Sequence, residues 1–307
     1  MNKIDIIIPA YNAQEWLSNM LDCLVKQTIS EKLVITVVDD CSKKDYKDVI
    51  EKYRDRIAIQ LIRTKKRKGV GKARNIGVSN TNNKYIMFLD ADDTLHNTTT
   101  LEIMYNEAEK NNYKIVYAKE EENGNIRYYD FHVVAKILRR DVIMNNNLKF
   151  IKCCREEDIT FMMKYYFFVN SKEIKKINEI FYEYRHVNSN SMIEIKKLFV
   201  NYDCKPLFKS FDSIYSLSKK FNNYTFLKNN SYRMFINLAM IYYKNKDNAS
   251  EKVLNRYLKY CKKFYNKYNG FINYYIKDKK TYQDDLNILN KFLILLNVWI
   301  VIIYNIW

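Results

Sequence analysis

The chain has 307 residues, a formal net charge of +17 at pH 7, 48% hydrophobic residues, and only 5 Gly and 2 Pro. This length buries a large core in one large domain or two modest ones, and so few turn-formers exclude a collagen-like chain or long flexible linkers. Six cysteines, at 23, 41, 153, 154, 204 and 261, make neither a C-x-x-C pair nor a zinc spacing, so reduced thiols are expected.

The N-terminus "MNKIDIIIPAYNA" has a short apolar run interrupted by Asp5 and no small-residue cleavage site, so it is not expected to act as a secretory signal. With the thiols, this gives a cytoplasmic expectation. "KIDIIIPAY" instead reads as a strand buried on both faces, as in a parallel sheet. Residues 13–26 then place Trp16, Met20, Leu21 and Leu24 at helical spacing. "KLVITVVDD" is a second buried strand, "DYKDVIEKYRDR" a second helix and "IAIQLIR" a third strand. "GKARNIGVSN" opens a helix after a glycine-bearing loop, and "KYIMFLDADD" supplies a fourth strand. Strand and helix alternate, which predicts an α/β fold with right-handed crossovers and a Rossmann-like, mostly parallel sheet flanked by helices.

Ligands of such sheets bind beyond the carboxyl ends of the strands. "PAYN", "DDCS" and "DADD" all fall at such ends, so three polar clusters distant in sequence should meet on one edge. The third crowds Asp90, Asp92 and Asp93 within four residues. Like charges so close repel, and burial adds to the cost, so a bound divalent cation is one reading. Helix capping by Asp92 and Asp93 is the other, and this stretch alone does not separate them.

Beyond Leu95 the alternation weakens. A helix is expected near 99–111, strands at "YKIVYA" and "NIRYYDF", a helical stretch at "AKILRRDVIMNN", and an acid-fronted helix at "REEDITFMMKYYFF". A further strand ends in aromatics within "EIKKINEIFYEYR". From about 195 the pattern is helical and rich in Tyr and Lys, giving an expected division into a domain of 1–195 and a helical domain of 196–307. The second part holds 20 Lys and Arg against 7 Asp and Glu, a net +13 of the total +17. Such a surface suits an anionic polymer, an anionic membrane surface or nucleic acid, or it simply keeps a helical surface soluble. The tail "KFLILLNVWIVIIYNIW" is apolar from Phe292 to Trp307 apart from two Asn, and these sixteen residues fall short of the ~20 needed to span a bilayer. Burial or self-association into a homo-oligomer is expected first, with peripheral membrane contact next.

Taken in order, "IIIPAYNAQEWLSNMLDCLVKQT", "VVDDCS", "GVGKARNIG", "YIMFLDADD", "AKILRRDVI" and "REEDITF" resemble the family 2 glycosyltransferases of GT-A fold over roughly residues 3–192. Two departures are visible: Cys41 stands where that family usually has glycine, and Arg155-Glu156 replace the glycine before the late acidic pair. The resemblance implies a UDP-sugar donor bound near Pro9, Tyr11, Asp39, Arg74 and Asp90. Asp39 suits a uracil imide, Tyr11 the base, and Arg74 at a helix start the diphosphate. It implies Mg²⁺ or Mn²⁺ on Asp92 and Asp93, and Asp158 as the base that takes the acceptor proton, with Glu157 positioning the acceptor or the base. In "YEYRHVNSNSM", Arg185 and His186 are further candidates for the diphosphate, with Ser191 weaker. One base without a second nucleophile implies inversion of the transferred sugar, onto a glycan, teichoic-type polymer or lipid-linked acceptor. The alternatives are a nucleotidyltransferase, which the late acidic group disfavours, and a basic nucleic-acid-binding protein without enzyme activity.

Overall fold

The computed structural model describes residues 3–151, 157–185, 205–247, 249–277 and 283–296. The chain divides into two compact units, 1–187 and 188–307. The boundary expected at 195/196 lies outside the described residues, as do Arg155, Glu156, His186 and Ser191.

The first unit is built on a nine-stranded sheet. Its strands are β1 (Ile4–Ala10), β2 (Leu33–Asp39), β3 (Ala58–Arg63), β4 (Tyr85–Phe88), β5 (Thr94–Leu95), β6 (Ile115–Glu122), β7 (Asn125–Arg127), β8 (Lys136–Arg139) and β9 (Ile174–Glu183). They lie in the order β3-β2-β1-β4-β8-β6-β9-β5, with β7 paired to β6. The half from β3 to β4 is parallel throughout, as the apolar runs predict. Beyond β4 the sheet is mixed: β8 runs antiparallel to β4 and β6, while β6 and β9 are parallel.

Every residue of β1 is buried, including Asp5. That carboxylate accepts hydrogen bonds from the backbone N–H groups of Asn82 and Asn83 and from the Asn83 amide, which accounts for a charge inside an apolar strand. Helix α1 (Gln14–Val25) buries Leu17, Met20, Leu21 and Leu24, while Trp16, expected on that face, is only partly buried. Helix α2 is the short segment Lys47–Glu51, and α3 spans Val70–Ser79. Helix α3 lies so close to β1 that a Cβ on Gly77 would stand 2.3 Å from Ile7 Cγ2. Helices α4 (Thr100–Asn111), α5 (Arg140–Asn145) and α6 (Glu157–Phe167) complete the unit. Phe161 of α6 stacks on Phe150 at 4.0 Å, and both meet Phe88 of β4 edge-on. This stack seats α6 beside the end of β4.

Two expectations are corrected. "AKILRRDVIMNN" is not helical throughout, because Lys136–Arg139 insert as β8 between β4 and β6 and only Arg140–Asn145 form a helix. Pairing partners on both sides outweigh the local helical pattern. Likewise only Asn125–Arg127 of "NIRYYDF" form a strand, and beyond it the Tyr128 hydroxyl donates to Ile177 O and the Tyr129 hydroxyl to Glu122 Oε2.

Cys41 explains one departure from the family pattern. Its backbone is left-handed, φ 66°, the conformation glycine adopts without a steric penalty. Cys41→Gly should therefore raise stability by about 0.5–1 kcal/mol in urea denaturation, the relief of backbone strain exceeding the entropy glycine adds to the unfolded chain. A lower denaturation midpoint in the variant would refute this.

The second unit contains α7 (Lys205–Phe221), α8 (Thr225–Asn245), α9 (Glu251–Lys277) and α10 (Gln283–Leu295). In α9 the buried side chains Tyr257, Cys261, Phe264, Tyr265, Tyr268 and Ile272 recur every three or four residues, while Lys252, Lys259, Lys262, Lys263 and Lys267 are exposed. Amphipathic spacing thus separates an aromatic core from a basic surface. Phe292, at the start of the apolar tail, is fully buried against Phe235 and Tyr242, and residues 297–307 lie outside the described residues. Among the described residues no helix is long and apolar enough to cross a membrane. Cys23, Cys41 and Cys261 are free thiols.

Candidate active site

The loops after β1 and β2 are stitched together. The Asp40 backbone N–H donates to Ala10 O at 2.9 Å, Asn12 N–H to Ser42 Oγ at 2.9 Å, and Lys43 N–H to Asn12 Oδ1 at 2.9 Å. Pro9 is buried in β1. Tyr11, 39% exposed, carries the Arg67 guanidinium over its ring at 4.0 Å. Asp39 is fully buried: Oδ1 accepts the Ser42 N–H at 2.8 Å and Oδ2 lies 3.0 Å from Arg63 Nη1. Oδ2 nonetheless has no hydrogen-bond donor of suitable geometry among the described residues. Asp40 accepts from the backbone N–H groups of Lys68 and Gly69 and from Thr64 Oγ1, fixing the loop that leads into α3.

That loop delivers Arg74, which joins three separate parts of the chain. Nη2 donates to Asp90 Oδ1 and Nη1 to Glu157 Oε1, both at 2.7 Å. Only 5% of the Arg74 side chain is exposed. Burial alone would lower its pKa, but Asp90, Glu157 and Asp158 outweigh that and hold the guanidinium charged above its ordinary range. The close seat of α3 against α6 depends on Gly71, where a Cβ would meet Glu157 Cγ at 3.0 Å and Ile151 O at 3.1 Å.

The three acids after β4 occupy different environments. Asp90 is partly exposed, and its backbone N–H donates to the Tyr182 hydroxyl at 3.1 Å. Asp93 is buried, with Oδ2 accepting from Tyr182 Oη at 2.6 Å and Oδ1 from Arg185 N–H at 2.9 Å. Burial, then the Asp90 carboxylate, push its pKa up to about 8. Asp92 is exposed, and among the described residues it has no ion-pair partner. Its pKa is raised by desolvation from surrounding protein and by Asp90. At the start of α6, Glu157 is buried on Arg74 with its pKa raised, mainly by burial and despite Arg74. Asp158 is half-buried, and its Oδ1 accepts the Ile159 N–H at 2.8 Å.

The structure thus ties Arg74 directly to Asp90 and Glu157, with Asp158 close enough to act on Arg74 electrostatically. Among the described residues Arg185 reaches the group only through its backbone N–H, and the residue is exposed. Sequence reasoning missed Arg63, Arg67 and Tyr182. Tyr182 is the most informative omission, since it is fully buried at the end of β9 and fastens the acidic turn from the far side of the sheet order. Alternation of Tyr182 and Tyr184 along one strand face was the available signal.

An α/β sheet with acidic turns gathered at its strand ends and an arginine among them marks a ligand site beyond the carboxyl ends of the strands. Residues 5–177 match the family model "Glycosyl transferase family 2", and the chain belongs to that family. It is 28% identical over 225 residues to the poly(ribitol-phosphate) beta-N-acetylglucosaminyltransferase TarP of Staphylococcus aureus, covering 64% of this chain and 67% of that one. With the cholesterol galactosyltransferase of Borreliella burgdorferi it shares 25% identity over 216 residues, 59% of each chain. The S. aureus enzyme TarS is 30% identical over 101 residues, 32% of this chain and 18% of that one. The chain therefore spans less than two thirds of TarS and of the galactosyltransferase in these matches. The crystal structure of TarS 1–349 in complex with UDP-GlcNAc superposes with a TM-score of 0.56 at 18% identity, over 96% of this chain and 80% of that one. At that identity the likeness is one of fold, the GT-A architecture with a helical region after it.

Proposed function

We propose that this protein is an inverting glycosyltransferase that moves a sugar from a UDP-sugar to a hydroxyl of a glycan, teichoic-type polymer or lipid-linked acceptor on the cytoplasmic side of the cell. The observation that carries the reading is Arg74, bonded at 2.7 Å both to the acidic turn after β4 and to the acidic start of α6. A transferase needs a donor-diphosphate site and an acceptor base held in fixed relation, and one buried guanidinium does this here. Tyr11 offers a face to the uracil, and Asp39, whose Oδ2 is ion-paired with Arg63 but accepts no hydrogen bond among the described residues, suits its imide N–H. Pro9, Asp90 and Arg185 complete the donor side. Asp158 serves as base because Glu157 is engaged with Arg74, whereas Asp158 is half-buried and, among the described residues, only its Oδ1 is engaged, by the Ile159 N–H.

The residues fit a hard divalent cation. Asp92 is exposed, has no ion-pair partner among the described residues and lies within electrostatic reach of Asp90, an arrangement of hard oxygen ligands that suits such an ion. Asp93 has each oxygen engaged by a protein donor, so Asp92 is the stronger ligand of the two. Bound Mg²⁺ or Mn²⁺ would offset charge on the leaving diphosphate. UDP-GlcNAc, UDP-glucose and UDP-galactose incubated with the protein in MnCl₂ should yield UDP from at least one donor, with release stopped by EDTA. No UDP from any donor, or equal release in EDTA, would overturn the donor or the metal assignment respectively.

A further inference from the structure

Beside the acidic turn, on the same face of β9, lies a polar cluster that donor binding and proton transfer leave unused. Glu120 of β6 is fully buried. Its Oε2 lies 2.8 Å from the Tyr184 hydroxyl and 3.0 Å from His132 Nδ1, and Tyr184 Oη is itself 2.8 Å from His132 Nδ1. Its Oε1 has no hydrogen-bond donor among the described residues, the nearest cation being Lys136 Nζ at 3.7 Å. Glu120 is thus the counter-ion of the buried Lys136 ammonium, and its other oxygen is held by Tyr184 and His132.

The proton count is decisive. The Tyr184 hydroxyl has one hydrogen, and Glu120 as a carboxylate has none. Were Nδ1 unprotonated, its lone pair would face the carboxylate at 3.0 Å. The arrangement that satisfies all three groups puts the hydrogen on Nδ1, directed at Glu120, with the Tyr184 hydroxyl also donating to Glu120. That leaves Nε2, which has no partner among the described residues, as the ring nitrogen open to a ligand, and the side chain is 33% exposed. A carboxylate that fixes one imidazole nitrogen so that the other can work is a recurrent device of binding and catalysis.

The imidazole is also held rigidly. Tyr129 stacks on it at 4.3 Å with an interplanar angle of 8°. Lys136 donates to Tyr129 O at 2.7 Å and to Val134 O at 3.5 Å, so the buried ammonium anchors the segment on both sides of His132. The link to the acidic turn is short. Tyr184 and Tyr182, two residues apart on one strand face, have ring centroids 5.2 Å apart, and Tyr182 bonds to Asp93.

We infer that His132 is an acceptor-binding residue, its Nε2 receiving a hydroxyl of a polyol or sugar, with Glu120 as the positioning residue that fixes the imidazole. This rests on the glycosyl-transfer reading and supplies what that reading lacks, a group beside the acidic turn that recognises neutral hydroxyls. The two sources, an alditol such as ribitol and a pyranoside such as methyl β-glucoside, share this chemistry and form the two arms of the test.

The chain has three histidines, so histidine-selective NMR of the full-length protein with UDP and Mg²⁺ gives an uncrowded readout. The His132 spectrum should report hydrogen on Nδ1. Titration with ribitol or methyl β-glucoside should move the Nε2 resonance saturably, and the arm that does so identifies the acceptor type. Glu120→Gln should weaken that binding about tenfold, the loss of one hydrogen bond's worth of orientation, and change the tautomer. His96→Ala, outside the cluster, should leave both unchanged. Absence of hydrogen from Nδ1, or no movement of His132 with either probe, overturns the inference, even where Glu120→Gln fails to fold. Failure of the donor reading is separate, because it appears in the same sample as absence of UDP binding before either probe is added.

Discussion

Asp158→Asn should slow sugar transfer by roughly 10²- to 10⁴-fold, the usual loss of a general base, while leaving UDP affinity unchanged. The substitution keeps size but removes the basic lone pair. Asp158 sits at the start of α6, where Glu157 is committed to Arg74 and cannot replace it without breaking that ion pair. Asp92→Asn is the necessary comparison. Asp92 belongs to the turn after β4, and a ligand of the donor's cation should lose both rate and UDP affinity in Mn²⁺. Calorimetric titration with UDP and initial-rate measurements on both variants separate the roles. If Asp158→Asn retains near-normal transfer, or loses UDP as badly as Asp92→Asn does, Asp158 is not the base.

Arg74→Met should destabilise the protein by about 3 kcal/mol at neutral pH, the lower part of the range for breaking a buried ion pair, because Asp90 remains 31% exposed. The loss should depend on pH in a defined sense. Without Arg74, Glu157 stays buried with its main stabilising charge removed, so its folded pKa stands still further above the unfolded value. A carboxyl raised in this way favours folding below its unfolded pKa and loses that stability as pH rises through the folded one. Urea midpoints should thus fall far more at pH 7.5 than near pH 4.5, where the carboxyl takes up its proton. Equal losses at both pH values would show that packing, not charge, dominates at Arg74. Arg74→Lys should recover only part of the stability, because one ammonium cannot replace the two-pronged guanidinium between Asp90 and Glu157.

Much of this was legible in the chain. The apolar runs of β1, β2 and β4 specify strands buried on both faces, because no other short element hides so many consecutive apolar side chains. Polar clusters at their carboxyl ends mark the site, and "GKARN", "DADD" and "EED" supply Arg74, Asp90 and Glu157, which the fold joins by direct bonds. The periodic aromatics of α9 likewise imply an amphipathic helix with its lysines outward.

What the linear pattern could not yield concerns partners far apart in sequence. Lys136 to Arg139 have a helical pattern and become a strand because β4 and β6 leave an open edge on each side of them. Asp92 and Asp93 look alike in the chain, yet one is exposed and the other is taken up by Tyr182 and Arg185, 89 and 92 residues on. Nothing in the linear pattern singles out Glu120 and His132, which meet because the chain leaving β9 brings Tyr184 against both. Local periodicity determines which faces are apolar, and with them the elements and the α/β class. Charge environment, hydrogen-bond partners and the selection among neighbouring acids depend on which strands become neighbours, and only the tertiary structure decides that.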